Sequence, residues 1–141
     1  MPYKFLENVS IADVAFEATG ESLEEMFASA GLAVAATQIK DLKSIKDKTK
    51  KIIKVKADKI EELLFKFLEE LVFLKDKDLL IFSQFKDMKI EKGKYFSCEA
   101  HGEKLDPKRH EQLVDVKAVT YHLFEVKKTR EGWKARVVLD I

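Results

Sequence analysis

Residues 58–78 have the sequence DKIEELLFKFLEELVFLKDKD, and this stretch decides the fold class. From Ile60 to Leu71 apolar side chains recur every three or four residues, which is the spacing of one face of an α-helix. Asp58, with Glu61 three residues later, predicts the N-terminal cap of that helix. The stretch therefore predicts an amphipathic helix that packs against a hydrophobic core.

A second helix is predicted upstream, in ESLEEMFASAGLAVAATQIK at residues 21–40. Its apolar residues follow the same helical spacing. Ser22 and Glu25 have the spacing of a capping box, in which each residue satisfies a free amide at the helix start. We expect this helix to run from about Leu23 to Ile39.

Around these helices, apolar and polar residues alternate with the period of two that is typical of β-strands. In the C-terminal part the spacing also predicts a hairpin, which turns where Gly93 tolerates a positive φ. The predicted strands are SIADVAFEATG (10–20), KIIKVKA (51–57), the two arms of FKDMKIEKGKYFSCEAHG (85–102), LVDVKAVTYHLFEV (113–126) and WKARVVLDI (133–141). In the predicted strand at residues 113–126, alternate residues from Val114 to Phe124 are expected to share one face. These include Val116, Ala118 and His122.

The order of these elements predicts an α+β fold, with a single domain over residues 1–141. A largely antiparallel sheet is expected to carry the two main helices on one face. The charged stretch QIKDLKSIKDKTKK, residues 38–51, is interpreted as a solvated connection rather than a nucleic-acid-binding tail.

The composition excludes several classes of function. Lys and Arg number 26 against 25 Asp and Glu, so the net charge of +1 provides no overall attraction to nucleic acid or to an anionic membrane. No direct sequence-specific binding of nucleic acid is expected. The single cysteine, Cys98, excludes an internal disulfide and suits a reducing compartment. No apolar run is long enough to span a membrane, so we expect a cytoplasmic protein.

Two aspartates occupy similar positions near opposite ends of the chain. In the last strand Asp140 lies on the face opposite Leu139 and Ile141, and Asp13 lies opposite Phe16 in the first predicted strand. Two carboxylates and the α-carboxylate of Ile141 would suit a hard divalent cation. Alternation alone does not show that positions 13 and 140 meet, so the alternative that both aspartates face water stays open at this point.

The other candidate residues have simpler interpretations. The three histidines lack the spacing of a helical zinc pair. His122 has the properties of a general base, but a partly buried, hydrogen-bonded sheet histidine is the favoured interpretation. Cys98 alternates with apolar residues and is interpreted as an inert core thiol. The common hydrolase and phosphate-binding motifs do not occur in the sequence.

Several motifs together resemble those of the archease family. Ala12–Asp13, GESLEEMFASAGLA, LLFKFLEEL, GEKLDPKRHE, VDVKAVTYH and the terminal LDI occur in the order seen in archeases, and they span nearly the whole chain. The most specific part is GEKLDPKRHE leading into VDVKAVTYH. The chain departs from the family at Ser10 and Ile11, where archeases often have His-Thr before Ala-Asp.

The resemblance implies an accessory protein of the RtcB-type RNA ligase of tRNA splicing. Such a protein promotes guanylylation of the ligase and restores its turnover, but is not itself the ligase. The resemblance also implies a bound divalent metal, calcium first and magnesium or manganese as alternatives, held by Asp13, Asp140 and Ile141. Lys117, His110 and His122 lie in the most family-like stretch and are candidate partner contacts or scaffold residues.

Two other functions remain as hypotheses. A chaperone-like modulator of RNA-modifying enzymes would use an exposed apolar patch instead of the carboxylates. A metal-dependent hydrolase would need a general base beside the aspartates, and the sequence offers no convincing one.

Overall fold

The computed structural model describes residues 2–7 and 12–141. The departure from the archease pattern at Ser10 and Ile11 therefore lies outside the described residues. Two α-helices and seven strands are found in the described part of the chain, in the order β1 (Tyr3–Phe5), β2 (Asp13–Gly20), α1 (Leu23–Gln38), β3 (Thr49–Lys56), α2 (Ile60–Asp78), β4 (Leu80–Glu91), β5 (Tyr95–Lys104), β6 (Ala118–Thr129) and β7 (Gly132–Asp140).

The predicted start of α1 is confirmed. The Ser22 hydroxyl accepts a hydrogen bond from the Glu25 amide at 3.1 Å, and the Glu25 carboxylate accepts one from the Glu21 amide at 2.9 Å. The first bond satisfies a donor that the first turn of a helix leaves free, and the second ties the residue before the N-cap to that turn.

The predicted cap of α2 is wrong by one residue. Lys59, in extended conformation, takes the N-cap position and makes no side-chain capping bond. Its carbonyl accepts the first helical hydrogen bond, from the Leu63 amide at 2.9 Å. Since Asp58 lies outside the helix, α2 depends on its apolar face rather than on a capping side chain.

The α+β class is confirmed, but the strands form two sheets instead of the one expected. Four strands pair in the order β1-β2-β7-β6 and three in the order β3-β5-β4, and every pairing is antiparallel. Each helix contacts strands of both sheets, α1 through β2 and β4 and α2 through β6 and β3. One core cluster accordingly joins Phe16, Phe27, Phe67, Phe96 and Val137 from both sheets and both helices.

The structure also corrects the predicted long strand at 113–126. Residues 113–117 precede β6, which begins at Ala118, and the buried residues are Val116 and Val119 rather than alternate residues from Val114. Register is lost between Thr120, opposite Val138, and Glu125, opposite Arg136. Five positions of β6 therefore span two of β7, and period-two alternation fails across this bulge.

Other elements follow the sequence more closely. Lys92 and Gly93 lie in the tight turn between β4 and β5 with φ values of 57° and 65°, so the predicted position of the turn is confirmed. The three residues of β1 were not predicted as a strand. None of the described helices has the length and apolarity that a membrane crossing requires.

Candidate functional site

The two aspartates singled out in the sequence lie directly opposite each other. Asp13 is the first residue of β2, Asp140 is the last of β7, and the two are register partners in the antiparallel pair. Opposed residues in such a pair point to the same face with Cβ atoms about 5 Å apart. Both are partly exposed. The register thus supplies the proximity that alternation alone did not show.

Backbone hydrogen bonds fix the end of β7 from both sides. The Ile141 amide donates to the carbonyl of Ala12 at 2.9 Å, and the Lys117 amide donates to the carbonyl of Asp140 at 2.8 Å. Ile141 is therefore held beside Asp13 by the backbone. Asp13, Asp140 and Ile141, the residues predicted to bind metal, therefore lie together at one end of the four-stranded sheet.

This donor set has the chemistry of a hard-cation site. Calcium and magnesium take oxygen ligands, and the side chains of Asp13 and Asp140 offer carboxylate oxygens, to which the predicted site adds the main-chain carboxylate of Ile141. The described residues contain no group of three or more His, Cys, Asp or Glu side chains suited to a metal. The fit rests instead on two side chains and a main-chain carboxylate, and metal binding itself stays a prediction.

The family-like motif at 102–111 is built around a buried carboxylate. Glu103 is 3% exposed and bonds to His110 at 3.0 Å, to the guanidinium of Arg109, and to the Lys46 amide at 2.7 Å. Burial by itself raises the pKa of Glu103, but these hydrogen bonds outweigh it and lower the pKa to about 2. Glu103 is a structural residue that the sequence reasoning did not single out.

His110 belongs to the scaffold rather than to an exposed contact surface. It is 1% exposed, and its Nδ1 accepts a hydrogen bond from the Asp106 amide at 2.8 Å. Accepting that bond requires a lone pair on Nδ1, so the proton lies on Nε2 and is donated to Glu103. Of the two roles left open for His110, its burial favours the scaffold.

The segment 111–117 connects this motif to the carboxylate pair. The Lys40 amide donates to the Glu111 carbonyl at 2.9 Å, and the Leu113 amide donates to the Gln38 carbonyl at 2.8 Å. The first half of the segment is thereby held against the C-terminal end of α1.

Lys75 of α2 holds the second half of the segment. Its ammonium group donates to the Asp115 carboxylate at 2.6 Å and to the Val116 carbonyl at 2.8 Å. These two residues directly precede Lys117, whose amide bonds to Asp140. Burial lowers the pKa of Lys75, but the carboxylates of Asp115 and Asp76 outweigh burial and raise the pKa above its ordinary value. The sequence signal was available, because Lys75 follows Leu71 by four residues on the apolar face of α2.

The other predicted residues have different surroundings. Lys117 is exposed beside the carboxylate pair, whereas His122 is exposed in the bulge of β6. The interpretation of His122 as a partly buried sheet histidine is therefore wrong, because the bulge turns this part of β6 outward. Contact roles for Lys117 and His122 stay predictions. Cys98 is 2% exposed, and burial raises its pKa to about 12, which suits the predicted inert thiol.

A wide groove of about 1030 Å³ lies at the opposite end of the same two strands. Its lining includes Gly20 and Trp133, which are register partners seven positions along β2 and β7 from the aspartates. At about 3.3 Å per residue, the groove is more than 20 Å from Asp13 and Asp140. It is therefore separate from the carboxylate pair.

Comparison with known proteins relates the whole chain to one family. The sequence model of the Archease protein family matches residues 3–141. Protein archease of Methanosarcina mazei is 37% identical over 142 residues, covering 99% of this chain and 95% of the relative. Protein archease of Pyrococcus furiosus is 40% identical over 134 residues, covering 92% and 93% of the two chains.

Solved structures agree with the fold. A Methanobacterium thermoautotrophicum protein with a solution structure has 30% sequence identity and a TM-score of 0.83, covering 99% of each chain. A Thermotoga maritima protein, described as an archease and possible chaperone, has a crystal structure at 2.0 Å resolution. It gives a TM-score of 0.66 over 94% of this chain and 93% of the other, and at 22% identity the likeness concerns the fold alone.

Proposed function

The chain belongs to the archease family, and from that premise we propose that it is an accessory protein of an RtcB-type tRNA-splicing RNA ligase. In this role it promotes guanylylation of the ligase and repeated turnover, and it does not join RNA itself. The site of action would be the cytoplasm. Membership of the family supports the proposal at the level of the whole chain.

The observation that carries the proposal is the opposed pair Asp13 and Asp140 beside Ile141. A divalent cation bound there, calcium first and magnesium or manganese as alternatives, would supply positive charge for phosphate groups of the ligase or its nucleotide. The two aspartates would hold that cation through their carboxylates. Because β2 and β7 are bonded along their length, the two side chains keep their spacing without a loop motif.

The direct test is RNA ligation with substrate in large excess over ligase. We expect the wild-type chain to increase the number of turnovers and Asp140→Asn to lose most of that stimulation, because the amide keeps the size but removes the charge. Glu125→Gln on the neighbouring strand β6 is the matched control and should stimulate normally. Full stimulation by Asp140→Asn would exclude the carboxylate site from the function.

The role of Ile141 has a separate test that does not depend on the ligase. Appending one glycine after Ile141 converts its α-carboxylate into a neutral amide carbonyl. We expect calorimetric titration with Ca²⁺ to show at least tenfold weaker binding, and an unchanged melting temperature in the presence of chelator. Equal affinities for the native and extended chains would remove Ile141 from the ligand set.

A chaperone-like role is the second candidate, because the Thermotoga maritima protein of the same fold is described as a possible chaperone. The structure offers exposed apolar side chains for it, such as Tyr121 and Leu123 in the bulge of β6. If the chain acts as a chaperone, its Asp13→Asn and Asp140→Asn variants should still suppress aggregation of an unrelated client protein. Loss of suppression in Tyr121→Ser, with ligation unaffected, would favour this second function.

A further inference from the structure

The outer face of the three-stranded sheet carries rows of lysines. Across the strands β3, β5 and β4, one row consists of Lys54, Ser97 and Lys89, and the next consists of Lys56, Tyr95 and Glu91. The opposite face of the same strands contributes residues such as Ile53, Phe96 and Cys98 to the core. The lysine rows therefore belong to the side of the sheet that faces away from the helices.

These two rows enclose a groove of about 480 Å³. Ser97 and Tyr95 of the central strand form its floor, and Lys54 and Lys56 stand on one side with Lys89 on the other. Tyr95 is 51% exposed, so part of its ring is open to a ligand. The groove thus combines an aromatic floor with cationic walls.

The charge of these walls is largely uncompensated. Among the described residues, no carboxylate forms an ion pair with Lys54, Lys56 or Lys89. Glu91 also lines the groove, but three ammonium groups outnumber this single carboxylate. The local charge is positive although the whole chain is close to neutral, with a net charge of +1.

The spacing of the lysines matches a chain of phosphates. Lys54 and Lys56 are two positions apart on one strand, which separates their Cα atoms by about 6.7 Å, close to the phosphate spacing of an extended nucleic-acid strand. Lys89 lies two strands away, at about 9.6 Å, and faces them across the groove. A strand laid along β5 would have ammonium groups on both sides.

We propose that this groove binds single-stranded RNA, with phosphates between the lysines and one base stacked on Tyr95. Lysines without base-reading side chains give binding that depends on the backbone and on salt rather than on sequence. The aromatic floor favours a nucleic-acid strand over an acidic protein, because a base has a flat face to stack and an acidic side chain does not. The choice of RNA over DNA rests on the proposed partnership with an RNA ligase.

The test is fluorescence anisotropy with a labelled oligouridine of about 12 nucleotides and the protein alone, without ligase. We expect weak, salt-dependent binding that falls at least tenfold in the triple variant Lys54→Gln, Lys56→Gln, Lys89→Gln. The slope of log affinity against log salt should decrease by about 2. Tyr95→Leu should weaken binding about tenfold while leaving the salt slope unchanged.

The matched control is the triple variant Lys77→Gln, Lys108→Gln, Lys128→Gln, which has the same net charge and exposed lysines elsewhere. It should bind oligouridine within about twofold of the wild type. Equal binding by both triple variants would overturn the groove as the site. Binding of polyglutamate as tight as that of oligouridine, with Tyr95→Leu unaffected, would overturn RNA as the occupant. These readouts do not involve ligation, so a failure here is distinct from failure of the proposed ligase activation.

Discussion

Glu103 shows how one buried charge makes stability depend on pH. Its pKa is about 2 in the folded chain, below its ordinary value of 4.5. A depressed folded-state pKa contributes stability that is complete above the unfolded-state value and is lost as pH falls towards about 2. We expect the free energy of unfolding, measured with urea, to decrease steadily from about pH 5 to about pH 2.

The variant Glu103→Gln should remove most of this acid dependence. At neutral pH it should also cost about 2 kcal/mol or more, because Arg109 and His110 lose a charged acceptor. Glu111→Gln is the control, since the side chain of Glu111 forms an exposed ion pair with Lys40. A Glu103→Gln curve with the wild-type slope below pH 5 would contradict this account.

Gly102 is a second position where a single residue has a large effect on stability. A Cβ atom there would lie 1.8 Å from the carbonyl oxygen of Ile81, at the bulge of β4 between Phe82 and Gln84. Gly102→Ala must therefore push backbone away from backbone, and we expect a loss of about 3 kcal/mol in thermal or urea unfolding. Ser97→Ala, on the same strand but facing the open groove, should change stability by less than about 0.5 kcal/mol. Similar values for the two variants would show that β4 shifts freely.

At the scale of elements, Lys75 couples α2 to the 111–117 segment and through it to the end of β7. Lys75→Met keeps most of the side-chain volume but removes the bonds to Asp115 and Val116. We expect amide hydrogen exchange at 115–117 to become at least tenfold faster and Ca²⁺ binding to weaken, while α2 remains helical. Positioning through the segment, and not contact with the metal, is the reason for the second effect.

Lys77→Met is the matched control for that experiment. Lys77 lies in the same last turn of α2, but its ammonium group stands over the Phe73 ring rather than on the segment. Its replacement should leave exchange at 115–117 unchanged. If Lys75→Met left exchange and Ca²⁺ affinity unchanged as well, the segment would be held by its contacts with α1 alone.

The elements also show which parts of the fold follow from local sequence. Both helices were predicted because their apolar faces repeat over four or more turns, and the turn at Gly93 was predicted from its chemistry. The bulge in β6 and the start of that strand at Ala118 were not, because both depend on pairing with β7. The cap of α2 was predicted one residue too early, because a short polar side chain gives only a local preference for the capping position.

The candidate site also has a part that was predicted from the sequence and a part that was not. Asp13, Asp140 and Ile141 were named from the sequence, but their proximity follows from the register of β2 and β7, which joins the two ends of the chain. Lys75 and Glu103 were missed because each is stabilised by a partner that is distant in sequence. The partner of Lys75 is Asp115, and the Lys46 amide bonds to Glu103. The period of α2 places Lys75 on the apolar face, but no periodic signal identifies Asp115 as its partner.

At the scale of the whole molecule, the carboxylate pair exists only when the chain is folded. One member comes from β2 and the other from its pairing partner β7, and 127 positions of sequence separate Asp13 from Asp140. Between them run both helices and the entire three-stranded sheet. A cation that binds this pair therefore binds the native state and not the unfolded chain, so metal binding and global folding are linked.

That linkage predicts a metal-dependent melting temperature. Ca²⁺ at about 100 times its dissociation constant should add about 2.7 kcal/mol to the free energy of unfolding, which corresponds to a rise of about 8 °C for a chain of this size. Asp13→Asn and Asp140→Asn should each abolish most of the rise, and Glu125→Gln should keep it. Because the two proposed ligands, Asp13 and Asp140, are far apart in sequence, the rise should appear in one cooperative transition reported equally by near-UV and far-UV circular dichroism. A rise that persists in both aspartate variants would place the stabilising cation elsewhere on the molecule.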